Sequence, residues 1–253
     1  MNMLNIAIKA VKEAAKISLP AFTKKKNISY KNKEGEEEIV TDIDLKAEKA
    51  IKAVLKKHFP DHNFLGEEQG KESQKSSDFL WLIDPLDGTV NYCRDIKLYG
   101  ISLALAKKKD VILGVVYNPL TNELFTAQKG QGAFLNNQKI KVSSQKELSN
   151  SVIYTTELYK TINIIKNLIF KLKNLRITSS AAYETCLVAC GRTDGFIKVT
   201  TNPWGFAAAN LIVKEAGGKV TNFNGSKWNI DSTKMLITND ILHNKILKLL
   251  NKL

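Results

Sequence analysis

A chain of 253 residues allows one large domain or two small ones, and 43% apolar against 25% charged residues is ordinary for a globular protein with material for a core. The balance of 38 basic and 25 acidic residues, a net charge of +13, invites a nucleic-acid reading. Yet Arg94, Arg176 and Arg192 are the only arginines, and the lysines scatter along the chain with no block interleaved with aromatics. That pattern favours a solvated lysine-rich surface, with a weak attraction for anionic substrates, over a nucleic-acid footprint, which the sequence does not indicate.

Three cysteines, Cys93, Cys186 and Cys190, form no metal or redox motif, and an odd count points to a reducing cytosol. Lys9, Lys12 and Glu13 interrupt the N-terminal apolar residues too early for a secretory signal. No apolar run approaches the length of a membrane span. The expectation is a soluble cytoplasmic protein with no membrane partner.

In chain order, Asn5 to Phe22 has helical spacing, and Pro20 should kink or end that helix. Lys24 to Glu38 is polar and reads as a mobile loop or exposed hairpin. Thr41-Asp42-Ile43-Asp44 has capping-box spacing and opens a helix that Pro60 stops. Asn63 to Leu65 is a short strand leading straight into Gly66-Glu67-Glu68, and Gly70 to Asp78 reads as a loop. Phe79 to Ile83 is a doubly buried strand ending in Asp84-Pro-Leu-Asp87-Gly88-Thr89. Strands over 101–106, 111–117 and 123–127 form a meander, with turns at Asn118-Pro119, Gly130-Gln-Gly132 and Asn136-Asn137. A polar stretch from Ser143 to Asn150 marks a boundary between two subdomains, 1–145 and 146–253. Beyond it come strand 152–155, helix 160–172, strand 175–177, helix 181–190 and strand 195–199. A further helix has Asn202 as N-cap and Pro203 in first position, and ends at Gly217-Gly218. Strand 235–238 and a terminal helix close the chain.

The chemistry concentrates at two acidic strand ends. If the strands before Glu67 and before Asp84 are neighbours, three carboxylates and the Leu86 carbonyl converge. Such a set stays ionised together only with a compensating cation, and its hard oxygens suit Mg²⁺, Mn²⁺ or Ca²⁺ rather than zinc. Thr89 follows as a hydroxyl able to orient a water. The alternative is a plain turn after a strand, where Asp, Pro and Gly are common.

Gly66-Glu67-Glu68, Asp84-Pro-Leu-Asp-Gly-Thr89, Ile39-Val-Thr-Asp-Ile-Asp44 and the run from Pro203 to Gly218 together resemble the motifs of the inositol monophosphatase family, in order and over nearly the whole chain. The resemblance implies an α+β fold, a layered α/β/α/β/α sandwich, and Mg²⁺-dependent hydrolysis of a phosphate monoester, with Mn²⁺ as a substitute. It implies that Glu67, Asp84 and the Leu86 carbonyl hold a first metal and that Asp84 and Asp87 contribute to a second. Glu67 and Thr89 would position the nucleophilic water, and Asp44 would polarise Thr89 or support a third, weaker metal. Backbone amides of Gly88 and Thr89 would meet the phosphate, and Ser179, Ser180 and Ala181 would line the substrate pocket. A homodimer is implied as well. Some bacterial relatives work with the transcription machinery, which keeps a regulatory alternative with weakened catalysis open; Gly205 supports it, and intact Glu67, Asp84, Asp87 and Thr89 oppose it.

Two positions depart from the family pattern. Gly205 follows Trp204 where the family normally has an Asp that ligates the second metal, and Asn202 is the nearest other oxygen donor. Lys198 stands where many members carry a Glu that accepts hydrogen bonds from inositol hydroxyls. An ammonium is donor-only, so it suits an extra anionic group on the substrate, such as 3′-phosphoadenosine 5′-phosphate or a sugar bisphosphate. Otherwise Lys198 points to solvent. Trp81 and Trp204 read as core, and Arg94 and Arg192 as surface charge.

Overall fold

The first helix, α1 (Met3–Ala21), packs beside α2 (Asp42–His58), and between them runs a hairpin of β1 (Ile28–Lys33) and β2 (Glu36–Thr41). The computed structural model describes residues 2–33, 36–73, 77–156, 158–199 and 202–251; Glu34, Gly35 and part of the loop read at 70–78 lie outside them. Pro20 sits in the last turn of α1, where it ends the helix. Thr41 caps α2 through a reciprocal capping box with Asp44, as the spacing predicts.

Next come β3 (Asn63–Gly66), β4 (Gly70–Glu72), β5 (Phe79–Asp87), the short α3 (Thr89–Cys93), β6 (Gly100–Lys107), β7 (Asp110–Asn118), β8 (Glu123–Gln128), β9 (Ala133–Leu135) and β10 (Gln138–Lys139). They build an eight-stranded sheet in the order β10-β9-β8-β7-β6-β5-β3-β4. Part of the loop expected after Glu68 is instead β4, which turns back along β3 as an edge strand. Its polar residues carry no strand signal because an edge this exposed needs no apolar face. Asn136 and Asn137 both take positive φ, the hairpin turn expected of that pair.

The rest is β11 (Val152–Thr155), α4 (Leu158–Ile169), β12 (Asn174–Ile177), α5 (Ala181–Ala189), β13 (Gly195–Val199), α6 (Trp204–Glu215), β14 (Gly218–Thr221), β15 (Lys234–Asn239) and α7 (Asp240–Leu250). A second sheet runs β12-β11-β13-β15-β14. Helix α6 begins one residue later than expected, with Pro203 rather than Asn202 at the N-cap, although Pro203 already has helical dihedrals. Strand β14 was hidden in what reads as a helix-ending Gly pair.

These elements stack as α1–α2, eight-stranded sheet, α5–α6, five-stranded sheet, α4–α7. The α/β/α/β/α order follows from burial. Ile6, Ala10, Ala14, Ile51 and Leu55 cover one face of the large sheet with Trp81, Ile83 and Leu103. Ala207, Ala208 and Ile212 of α6 fill the space between the sheets with Leu82, Val116, Phe196 and Ile237. The small side chains of α6 let it lie between two sheets, and the largest core is therefore shared by both halves of the chain. No described helix is long and apolar enough to cross a membrane.

Candidate active site

Strands β3 and β5 are adjacent and parallel, with Gly66 paired to Ile83. Every other pairing in that sheet is antiparallel. Parallel neighbours end at the same side, so Glu67 and Asp84 emerge together, and the Glu67 amide donates to the Ile83 carbonyl at 3.0 Å. Asp84 and Asp87 are three apart, a spacing that in a regular strand sends side chains to opposite faces. The register between β5 and β6 shifts between them: Asp84 pairs with Ser102 and Asp87 with Gly100. This bulge, at Pro85 and Leu86, inserts one residue and returns Asp87 to the side of Asp84.

Both carboxylates are nearly covered, at 4% and 6% exposure, yet they line an open cleft of about 350 Å³ together with Glu67, Leu86 and Thr89. Burial, then the Glu67 carboxylate and then Asp87 push Asp84 well above the ordinary carboxylate range. Burial pushes Asp87 up to about 6, against hydrogen bonds that favour its charged form. Those bonds come from Ser180 Oγ at 2.7 Å and the Tyr183 amide at 3.1 Å, so Asp87 serves as a remote cap for α5. Ser180 makes no cap bond to its own helix. Its hydroxyl is spent on Asp87.

Thr89 Oγ1 lies 3.2 Å from Asp44 Oδ1 and 3.1 Å from the Leu86 carbonyl, and its single proton goes to one of these two acceptors. Asp44 is held by the Thr41 amide and hydroxyl, and burial pushes it up to about 6. Gly88 turns the chain from β5 into α3 at φ 94°, and a side chain there would stand 3.0 Å from the Leu98 carbonyl.

Across the cleft, Lys198 is 6% exposed and donates to Thr156 Oγ1, so it lines the cleft rather than pointing to solvent. Ser179 and Ala181 also line it, as do Asn202 and Trp204. Trp204 therefore has a cleft-facing part besides its packing on the core, whereas Trp81 is wholly buried. A side chain on Gly205 would begin 3.4 Å from Asp84 Oδ2, an ordinary contact distance. Arg192 pairs with Glu123 at 2.6 Å and takes no part in the cleft.

Three residues with a bearing on the site are invisible to motif reading. Lys31, from the hairpin, sits 2.7 Å from Glu68 and 3.7 Å from Glu67. Glu184 is fully buried and accepts from the Ser180 amide at 3.1 Å; burial pushes it up to about 8. Glu48 is fully buried behind the turn that carries Glu67. The first lies in a polar hairpin, lysines first and then glutamates, that reads as solvated surface. For the two buried acids, placement among helical residues gave no signal.

Among the described residues, no three acidic, histidine or cysteine side chains are gathered as a ready-made metal cage. The donor chemistry nonetheless fits a hard divalent cation: carboxylate oxygens and the Leu86 carbonyl, which has a second lone pair beyond the Thr89 bond. Asp84, buried beside a second acid, is the group whose charge such a cation would most relieve.

The profile of the inositol monophosphatase family matches residues 1–253. The chain belongs to the inositol monophosphatase family. Within the family it is 38% identical over 230 residues to the "Nus factor SuhB" of Pasteurella multocida, covering 88% of this chain and 86% of that protein. It is 36% identical over 253 residues to the "fructose-1,6-bisphosphatase/inositol-1-monophosphatase" of Thermotoga maritima, covering 100% and 97%. Its fold matches the crystal structure of the suhB extragenic suppressor protein from Bartonella henselae, with a TM-score of 0.91, 32% identity and 98% of each chain covered. The layered architecture implied by the motifs is thus the family's own.

Proposed function

We propose that this chain is a Mg²⁺-dependent phosphomonoesterase acting on inositol monophosphate or a related small phosphate ester. The observation that carries the reading is Asp84, buried beside Glu67 and Asp87 at an open cleft and held above the ordinary carboxylate range by that burial and those charges. Family membership supports a metal-dependent phosphatase. Glu67, Asp84, the Leu86 carbonyl and Asp87 would hold the cation, with Mn²⁺ as a substitute. When bound, Mg²⁺ would make a nearby water more acidic and offset charge on the phosphate.

The chain's own part follows from its hydrogen bonds. Thr89 gives its proton to Asp44 or to Leu86, which leaves a lone pair on Oγ1 to accept from the attacking water. Glu67 accepts from the same water on its other side. Asp44 polarises Thr89. The Gly88 and Thr89 amides hold the phosphate, and Ser179 and Ala181 form the wall for the organic part, while Ser180, expected there too, is buried behind it with its hydroxyl on Asp87. A cytoplasmic homodimer belongs to the same reading.

Lys198 favours an ester with a second anionic group over plain inositol phosphate, and the bisphosphatase in the name of the Thermotoga relative supports that choice. The test is phosphate release from a panel of inositol, sugar and nucleotide phosphates with Mg²⁺, for wild type and Lys198→Glu. Release by wild type with preference for a second anion, shifting toward inositol phosphate in the variant, is expected. An unchanged preference would contradict the role of Lys198.

A second reading is a regulatory binding protein with weakened catalysis. Gly205 favours it, because position 205 faces Asp84 and carries no carboxylate, as do the SuhB names of several relatives. Absence of phosphate release from the whole panel would move this reading to first place.

A further inference from the structure

Helix α2 carries two buried carboxylates four residues apart, on one face. The first, Asp44, meets Thr89. The second, Glu48, has no solvent exposure and takes up two successive backbone N–H groups: Glu68 N donates to its Oε2 at 2.8 Å, and Gln69 N donates to its Oε1 at 3.1 Å. These amides belong to the turn directly after Glu67, whose own amide is bound to Ile83 of β5.

The carboxylate is built into this place. Lys52, one turn further along α2, lies 2.8 Å from Glu48 and also binds Gln69 Oε1 at 3.1 Å and Glu72 at 2.9 Å. Its side chain is 4% exposed, so the pair is shielded from water and from salt. Any side chain on Gly66 would run into the Glu48 carboxylate, so glycine there is what lets the acid reach the turn. A carboxylate with two acceptor oxygens can hold both N–H groups at once, whereas an amide of the same shape offers one oxygen and turns an N–H toward the other donor.

We propose that Glu48 is a positioning residue for Glu67: together with Asp44 it makes α2 the ruler that sets Glu67 against Thr89. The proposal rests on the phosphatase reading for its consequence, but the anchor itself is a property of the fold. Glu48 is buried and is not among the residues that line the cleft. With no acid at position 205, the site depends more heavily on a well-placed Glu67, and a loosened turn weakens cation binding directly.

Amide hydrogen exchange and Mn²⁺ calorimetry on wild type and Glu48→Gln test this, with the exposed Lys56→Ala as control. In wild type the Glu68 and Gln69 amides should be protected although they lie in a turn. In Glu48→Gln their exchange should rise about tenfold or more while the β5 amides stay protected. Mn²⁺ should bind about 10- to 100-fold more weakly, the usual scale for a lost outer support. Turnover should fall and recover partly at high Mg²⁺, with KM for the substrate unchanged. Lowered thermal stability with unaltered Mn²⁺ affinity would mean a structural role only and would overturn the proposal. So would wild-type amides at 68 and 69 that exchange as freely as an open loop, a result that needs no variant to fold. If wild type binds no Mn²⁺, the phosphatase reading fails, and amide exchange still decides whether the anchor exists.

Discussion

Position 205 shows how one missing side chain changes what neighbouring residues must do. A Cβ there would sit 3.4 Å from Asp84 Oδ2, so an Asp at this place would add a carboxylate to the cluster without displacing backbone. Removing a helical glycine is itself neutral or stabilising by roughly 0.5–1 kcal/mol. The added charge works the other way, because it repels an acid already pushed up by burial and Glu67. Gly205→Asp is therefore expected to lower the thermal midpoint of the metal-free protein and to raise it with Mg²⁺ present. Turnover should increase and saturate at lower Mg²⁺. A midpoint and a Mg²⁺ dependence both identical to wild type would mean that position 205 does not address the cation.

At the scale of elements, the site is a product of how strands end. The left-handed Gly88 joins β5 to α3, and nothing with a Cβ takes φ 94° without strain or fits against the Leu98 carbonyl and Ser180. Gly88→Ala should destabilise the fold by about 1–3 kcal/mol, read from urea unfolding, and should lower turnover by shifting Thr89. Stability equal to wild type would contradict the strain. The acids at 67, 84 and 87 were legible because strong apolar runs stop at them, and the capping box marked Asp44. The parallel pairing of β3 with β5 was not legible, since pairing partners are chosen by the whole sheet. Nor was the bulge at Pro85, which alone brings Asp87 to the side of Asp84. Motif reading assigned Ser180 to the substrate pocket and Asp87 to a metal, while the structure spends them on each other and on α5.

For the whole molecule, burial of acids couples stability, protons and cations. Asp44 and Asp87 are each pushed up to about 6 in the folded state, and Glu184 to about 8. A raised carboxylate pKa means that the folded state holds its proton more tightly than the unfolded chain. That contribution is complete below the unfolded value of about 4 and is lost as pH rises through 6 and, for Glu184, toward 8. Self-repulsion of a chain already at +13 opposes this at low pH, so the clean observable is the shift that Mg²⁺ produces. In the proposed reading, protons and Mg²⁺ would compete for Asp84 and Asp87, and the rise in thermal midpoint with Mg²⁺ should be small at pH 5 and larger at pH 8. A shift independent of pH would contradict binding at these acids. We also read 1–145 and 146–253 as subdomains joined by one core, since α5 and α6 cover faces of both sheets.

We propose that the acids at the ends of β3 and β5 bind a divalent cation. Calorimetric titration of Mn²⁺ into the wild-type protein and into Asp84→Asn, at neutral pH and without substrate, tests it most directly. The substitution keeps the size of the side chain and removes the charge that burial, Glu67 and Asp87 oppose. Saturable binding by wild type that weakens by about tenfold or more in the variant is the predicted result. Equal binding by both proteins, or none by wild type, would contradict it.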